Sequence, residues 1–361
     1  MKENLYQVLY KIYKDPPRWK YYRGNRGDYQ DKDFLSYEFS TLFIQQYFIA
    51  GQKSILTESI YSLSPLRQIH TVSTFFLGLY LYNFLKVSSH RKYEPNFKYL
   101  WFLTCLYHDF GYIIEDGIDR TWTDKIKYDV YKCLKIPNEL KIYYDIEIIK
   151  RYSEYRHNID HGIEGGRKLY DLLKKNYAYY REKWAHQNNV EPQDDFLYNG
   201  KIWFRKRHEK YYAEAALNIM LHNIWLANDP QTIEAYRKVH LDKLINKRLK
   251  FSYSAALLFV LAFSDTIEPI KKAKGIGGND NVNQYENLYK TLLESIYIST
   301  DNNKLRLSFE RKLSNYPYDN WMQSICDLAT WIDVGIERQS DSVIIDFHVD
   351  NIRDSRLIPL L

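Results

Sequence analysis

Leu106-Tyr107-His108-Asp109-Phe110-Gly111-Tyr112 ends a nearly unbroken apolar run, Tyr99 to Tyr107, on a histidine beside an aspartate. Burying a carboxylate at the end of such a run is unfavourable unless it is paired or bound to a cation. Imidazole nitrogen and carboxylate oxygen are also the donors that divalent ions take in hydrolytic sites. Adjacent residues do not share a helix face, so both can turn to one point only at a helix end. The spacing predicts a helix over 97–108, stopped near Gly111, where a left-handed cap is easy.

Working outward, Ser64-Pro65 opens a helix that runs to about Val87 and carries His70 near its start. Residues 113–155 begin polar and acidic, then read as two helices with Pro137 between them. Arg156-His157-Asn158-Ile159-Asp160-His161 leads through Gly162, Gly165 and Gly166 into a helix over 167–175. Those glycines lower helix stability, which points to close approach of a neighbour. Residues 182–210 have the look of an insertion, with Asn199-Gly200 as a hairpin turn. A helix over 210–228 carries His222, and an apolar helix over 252–266 ends on Asp265. A helix apolar all round belongs in a core.

The two ends differ from this middle. Residues 1–16 read as helical, Pro16-Pro17 and a basic, aromatic tract over 18–27 break the pattern, and 34–50 is an amphipathic helix. The tract has the chemistry that single-stranded nucleic acid uses, but an exposed loop is the better explanation, because so much of the chain is Lys and Tyr. After Pro269, Lys271, Lys272 and Lys274 lead into Gly275-Ile276-Gly277-Gly278. Ile296, Ile298, Leu305, Leu307 and Phe309 then alternate as in a hairpin; Trp321, Ile325, Leu328 and Ile332 form a helical stripe; Val343, Ile345, Phe347 and Val349 alternate again. The expected organisation is a helical segment 1–62, a main helical domain 63–275 with the insertion at 182–210, and a small α+β region 276–361.

At 361 residues, 45% hydrophobic and 27% charged, the chain has room for a sizeable core and is not of disordered composition. A net charge of +6 suits anionic small molecules and permits nucleic acid. Cys105, Cys133 and Cys326 have neither disulfide nor zinc-finger spacing. No secretory leader pattern and no membrane-length apolar run are legible, so a cytoplasmic protein is expected.

The order His70, His108-Asp109, His161, His222, Asp265 resembles the HD-domain superfamily of metal-dependent phosphohydrolases. Its spacings are 38 (108 − 70), 53 (161 − 108), 61 (222 − 161) and 43 (265 − 222), over about 205 residues. Asp160-His161-Gly162-Ile163-Glu164-Gly165-Gly166 is similar to the segment that many HD enzymes place at their third histidine, and Leu261-Ala262-Phe263-Ser264-Asp265 to their last helix. The resemblance implies a mostly α fold, an HD-type helical bundle with the small C-terminal α+β addition. It assigns His70, His108, Asp109 and Asp265 to one metal ion and His161 and His222 to a second, with Asp109 bridging. The ions implied are two divalent metals, drawn from Mn, Fe, Co, Ni, Zn or Mg.

The activity it implies is hydrolysis of a phosphoester in a nucleotide or oligonucleotide, as a phosphodiesterase or nuclease. An HD-fold di-iron oxygenase and a non-catalytic nucleotide sensor are the alternatives. The partners expected are a phosphorylated substrate, nucleotide or single-stranded nucleic acid, and a protein or second copy through the C-terminal region, with no membrane. Many members have a lysine after the His-Asp-x-Gly turn, where this chain has Tyr112. Arg67, Lys271 and Lys272 are the substitutes available for phosphate charge. His157, four residues from His161, is its rival as a ligand, whereas His90, His186, His208, His240 and His348 are expected to be exposed.

Overall fold

The computed structural model describes residues 3–20, 27–49, 64–89, 97–117, 125–199, 202–245, 248–250, 255–273 and 282–348. Lys274, the 275–278 loop, His90, Val349, Gly200 and residues 21–26 of the basic tract lie outside them.

A hydrophobic core built from helices holds the chain together. Helix α1 (Leu5–Tyr13) is closed by a capping box between Asn4 and Gln7, and α2 (Tyr37–Phe43) starts on Ser36, whose side chain accepts from the Phe39 N–H. Both pack on α3 (Pro65–Ser89) through rings of Tyr13, Phe34, Phe39, Phe43 and Phe76. Helices α4 (Phe97–Tyr107) and α5 (Tyr112–Glu115) flank His108-Asp109. Next come α6 (Ile146–Tyr155), α7 (His161–Asn188), α8 (His208–Leu221) and α9 (Ala256–Ile267). Helix α9 packs against α3 and α8, and α7 runs along α8.

The α7–α8 contact explains the glycines. A Cβ on Gly166 would lie 2.5 Å from the Ala216 carbonyl oxygen, and one on Gly162 would lie 2.9 Å from that of Ile219. Their absence lets the two helices approach at backbone distance.

After α9 the chain forms α10 (Val282–Ser295), the hairpin β4 (Ile296–Asp301) and β5 (Lys304–Phe309), α11 (Tyr318–Trp331), β6 (Val334–Arg338) and β7 (Ser342–Phe347). The alternation read at 296–309 and 343–347 buries Ile296, Ile298, Leu305, Leu307, Phe309, Val343, Ile345 and Phe347. The sheet is antiparallel with order β1-β4-β5-β7-β6, and β1 is Glu3–Asn4, from the other end of the chain. The fold is thus mostly helical with one small sheet.

Several local expectations are corrected. Gly111 is right-handed (φ −64°) and starts α5; it is needed because a Cβ there would meet the His161 backbone. The glycines at 162–166 lie inside α7, which begins at His161 and continues to Asn188, into the supposed insertion. The hairpin in that insertion is present as β2 (Phe196–Tyr198) and β3 (Ile202–Phe204). Between α5 and Pro137 the described residues include a 3-10 turn, Val130–Lys132, and the helices Asn138–Lys141 and α6 both follow Pro137. The helix expected over 34–50 begins at Tyr37 and turns π-helical at Ile44–Ile49. Among the described residues no helix is long and apolar enough to cross a membrane.

Candidate metal centre

The ends of five helices, α3, α4, α7, α8 and α9, meet in the core. Helix α3 carries His70 in its second turn, with the Ser64 hydroxyl accepting from the Arg67 N–H at 3.4 Å. The turn between α4 and α5 carries His108 and Asp109. Helix α7 starts on His161, α8 ends at His222, and α9 brings Asp265 in its last turn. Asp160 ties two of these ends together: Oδ1 accepts from the Ile163 N–H at 2.9 Å and Oδ2 from the Asn223 amide at 2.6 Å.

The six residues form two overlapping groups, each with donor atoms mutually within 4.8 Å: His70, His108, Asp109 and Asp265, and Asp109, His161 and His222. All but Asp265 are fully buried, and the Asp265 side chain is 12% exposed. The expected sharing of Asp109 by both groups is present in the geometry.

Each imidazole is fixed through its Nδ1. That of His108 is 2.6 Å from the Cys105 carbonyl oxygen and that of His222 is 2.6 Å from the Ile219 carbonyl oxygen. That of His70 is 2.7 Å from Glu268 Oε2, and that of His161 is 2.7 Å from Glu115 Oε2. Carbonyls and carboxylates only accept, so in the neutral rings Nδ1 carries the proton and Nε2 presents its lone pair inward. Such outward anchoring is the usual support of metal-binding histidine. His70 Nε2 lies 3.3 Å from His108 Nε2 and 3.0 Å from Asp265 Oδ1, so two neutral rings would bring lone pairs face to face, a conflict that a cation, or a proton on His70 donated to Asp265, relieves. His161 Nε2, His222 Nε2 and both oxygens of Asp109 are buried with no hydrogen-bond partner. Orphaned polar atoms at this depth are expensive. The donor set therefore fits a metal ion, and these residues could hold one.

The electrostatics agree. Burial alone would lower the His70 pKa, but hydrogen bonds to Asp265 and Glu268 outweigh it and raise it to about 9, so this corner favours positive charge. Burial, with His161 nearby, lowers His222 to about 3 and keeps it neutral. Burial would raise Asp109 and Asp265, yet Lys271 and the histidines hold both below the usual carboxylate range.

Two cations border the centre. The Lys271 ammonium is 2.9 and 2.8 Å from the Asp265 oxygens and 3.9 Å from Asp109 Oδ1. Arg67 lies 3.5 Å from Asp109 Oδ2 and 3.5 Å from Asp116. Its guanidinium stacks 3.3 Å from the Tyr112 ring, whose other face stacks on His161 at 3.9 Å. Tyr112 therefore packs Arg67 and His161 in place, and burial pushes its hydroxyl to about 12.

Lys272 is half-buried and makes no ion pair or hydrogen bond with these residues, so it is not brought into the site. His157 is exposed, with φ 55°, and drops out as a rival of His161. His186, His240 and His348 are exposed as expected, whereas His208 is half-buried against Tyr99 and Tyr211.

Glu115 and Glu268 are what the sequence reading missed. Glu268 also accepts the backbone N–H groups of Ile270 and Lys271, at 3.0 and 3.3 Å, so one buried carboxylate orients His70 and shapes the turn that presents Lys271. Its signal was position: three residues after Asp265, where the apolar helix has not yet left the core. No known family, curated protein or solved structure matches the chain.

Proposed function

We propose that this protein is a metal-dependent phosphohydrolase of the HD type, cleaving a phosphoester in a nucleotide or oligonucleotide. The observation that carries the reading is the buried convergence of four Nδ1-anchored imidazoles and two carboxylates, bordered by two cations. His70, His108, Asp109 and Asp265 would hold one ion, and Asp109, His161 and His222 a second. Divalent ions held there would supply Lewis acidity and a water acidified toward neutrality.

The chain's own residues do the rest. The Nδ1 anchors keep each Nε2 lone pair directed inward, so little reorganisation precedes the reaction. Lys271 and Arg67 place positive charge at the border, where the nonbridging oxygens of a phosphoester gain charge. In this reading Lys271 fills the role of the lysine whose position Tyr112 occupies, while Tyr112 keeps Arg67 aimed. The burial of Asp109 and both site histidines of α7 and α8 excludes bulk water from the ligands.

Elemental analysis of the purified protein, combined with hydrolysis assays on bis(p-nitrophenyl) phosphate, cyclic and linear nucleotides and nucleoside phosphates across several divalent metals, tests the proposal. Stoichiometric metal and a metal-restored hydrolysis are expected. Lys271→Met should then lower kcat by roughly 10²-fold, the size of removing one transition-state donor, while metal content stays unchanged. Absence of bound metal, or substrate-dependent oxygen consumption by an iron-loaded form without hydrolysis, would overturn it.

A further inference from the structure

Helix α7 does more than supply His161. Tyr179 follows His161 by 18 residues (179 − 161), which is five turns, so both lie on one face of the helix, roughly 27 Å apart along it. Between them that face is buried, at Lys168 and Leu172. Beyond, it opens into a groove of about 660 Å³ lined by Lys127, Tyr128, Lys175, Tyr179, Lys183 and His186, with Ala178 and Glu182.

The groove is built rather than incidental. Asp171, fully buried, accepts the backbone N–H groups of Lys127 and Tyr128 at 2.8 and 3.0 Å and pairs with Lys175 at 2.6 Å, so one carboxylate fixes both walls. Lys175 is bonded again to the Lys125 carbonyl. With Lys175 neutralised by Asp171, the charge presented comes from Lys127 and Lys183, both exposed and neither in an ion pair, against Glu182. Tyr179 is 52% exposed, unusual for a ring of that size. The Lys183 ammonium lies over its ring at 5.6 Å and over Tyr198 at 5.9 Å, and Lys127 lies over Tyr128 at 5.4 Å.

Alternating ammonium groups and ring faces at one-turn spacing match a chain that alternates phosphates with planar rings. An acidic peptide would use the lysines and leave the tyrosine faces without purpose; single-stranded nucleic acid uses both. We infer that this groove binds single-stranded nucleic acid, making the substrate of the centre at the other end of α7 a polynucleotide rather than a mononucleotide. The substrate clause rests on the hydrolase reading; the binding clause does not.

The test is fluorescence anisotropy of a labelled oligothymidylate of about 15 nucleotides, within the reach of such grooves, with the full chain in EDTA so that hydrolysis plays no part. Wild type should bind, more weakly as salt rises. Lys183→Glu and Lys127→Glu should each weaken binding about tenfold and flatten the salt slope by at least one. Tyr179→Ala should weaken it several-fold while leaving the salt slope alone, because stacking is lost and no charge. Circular dichroism and melting temperature should stay at wild-type values, since all three side chains are exposed.

No binding, binding unaffected by all three variants, or equal affinity for polyglutamate would each overturn the inference, the last by pointing to an acidic protein surface. Oligonucleotide binding by a protein that hydrolyses nothing would sink the hydrolase proposal and leave the groove standing. Hydrolysis of bis(p-nitrophenyl) phosphate by a protein that binds no oligonucleotide would do the reverse.

Discussion

The half of the centre around His70 and the half around His161 use the same two supports and differ in everything else. In each, one imidazole is anchored by a carboxylate and the other by a main-chain carbonyl: Glu268 and Cys105 in the first, Glu115 and Ile219 in the second. The first half adds Asp265, with Lys271 paired to it. In the second, His161 and His222 have only Asp109 as a shared carboxylate, and both Nε2 atoms stand without a partner. More anionic donors in one place mean tighter capture of a cation. The contrast teaches that the two halves should not fill alike: an ion would be held more firmly in the His70 half and would exchange more readily from the His161 half.

Asp109→Ala strikes both halves and should have the largest effect. With the shared carboxylate gone, metal content should fall to near zero and any hydrolysis by roughly 10³-fold or more, in line with several kcal/mol of lost stabilisation at 1.36 kcal/mol per decade. Inductively coupled plasma mass spectrometry beside the hydrolysis assay reads both. If Asp109→Ala retained one full equivalent of metal, Asp109 would not join the halves and the comparison would collapse.

His222→Ala separates them. It should remove the weakly held ion alone, leaving the tighter binding step in a calorimetric titration within a few-fold of wild type. Hydrolysis should drop by about 10²-fold, the range for an orienting electrostatic group. Loss of both binding steps would mean that the halves fill as a unit.

Glu268→Gln asks the converse question at smaller amplitude. An amide keeps the shape but replaces a charged acceptor, and changes of this kind behind a ligand cost about 10- to 100-fold in metal affinity. The tighter step should weaken and the second should not. Glu115→Gln should do the opposite, and equal effects of the two variants on both steps would break the distinction.

Residue type and order made the six candidate ligands legible, because His and Asp at apolar helix ends are conspicuous. Arg67 and Lys271 were legible as the cations nearest those ligands in the chain, but Lys272 was indistinguishable from Lys271 until the turn fixed by Glu268 was known. Glu115 and Glu268 were not legible: an acidic residue after an apolar stretch is the commonest of surface features, and only the fold brings it under an imidazole. The helices at 65–89 and 97–107 and the 296–309 hairpin were readable from long, consistent periodicities. Strand β1 was not, since two residues carry no period and its partner lies almost 300 residues on, at Ile298 and Tyr297. Strand β6 buries only Val334 fully, so its alternation is faint. The left-handed reading of Gly111 failed for a different reason: glycine there answers a crowding from His161 that no local sequence could reveal.

The gentlest test reaches the second half through packing. Gly166→Ala ought to stabilise an isolated helix by up to about 1 kcal/mol, and α7 is long enough for that gain to register. Against it stands the Ala216 carbonyl oxygen, 2.5 Å from where the new methyl would sit, with Met220 Cγ at 2.7 Å. The methionine can yield, being the flexible end of a side chain, but the carbonyl belongs to the backbone of α8 and cannot. Overpacking of this kind costs about 1–3 kcal/mol, so crowding should win and the variant should lose about 1 kcal/mol, a fall of about 1–2 °C in melting temperature for a chain of this length. The helix that must move is the one that ends in His222, while His70, His108 and Asp265 sit on α3, the end of α4 and α9. A calorimetric titration of Gly166→Ala should therefore show the weaker metal step diminished and the tighter one preserved; equal damage to both would show that the α7–α8 contact supports the whole centre.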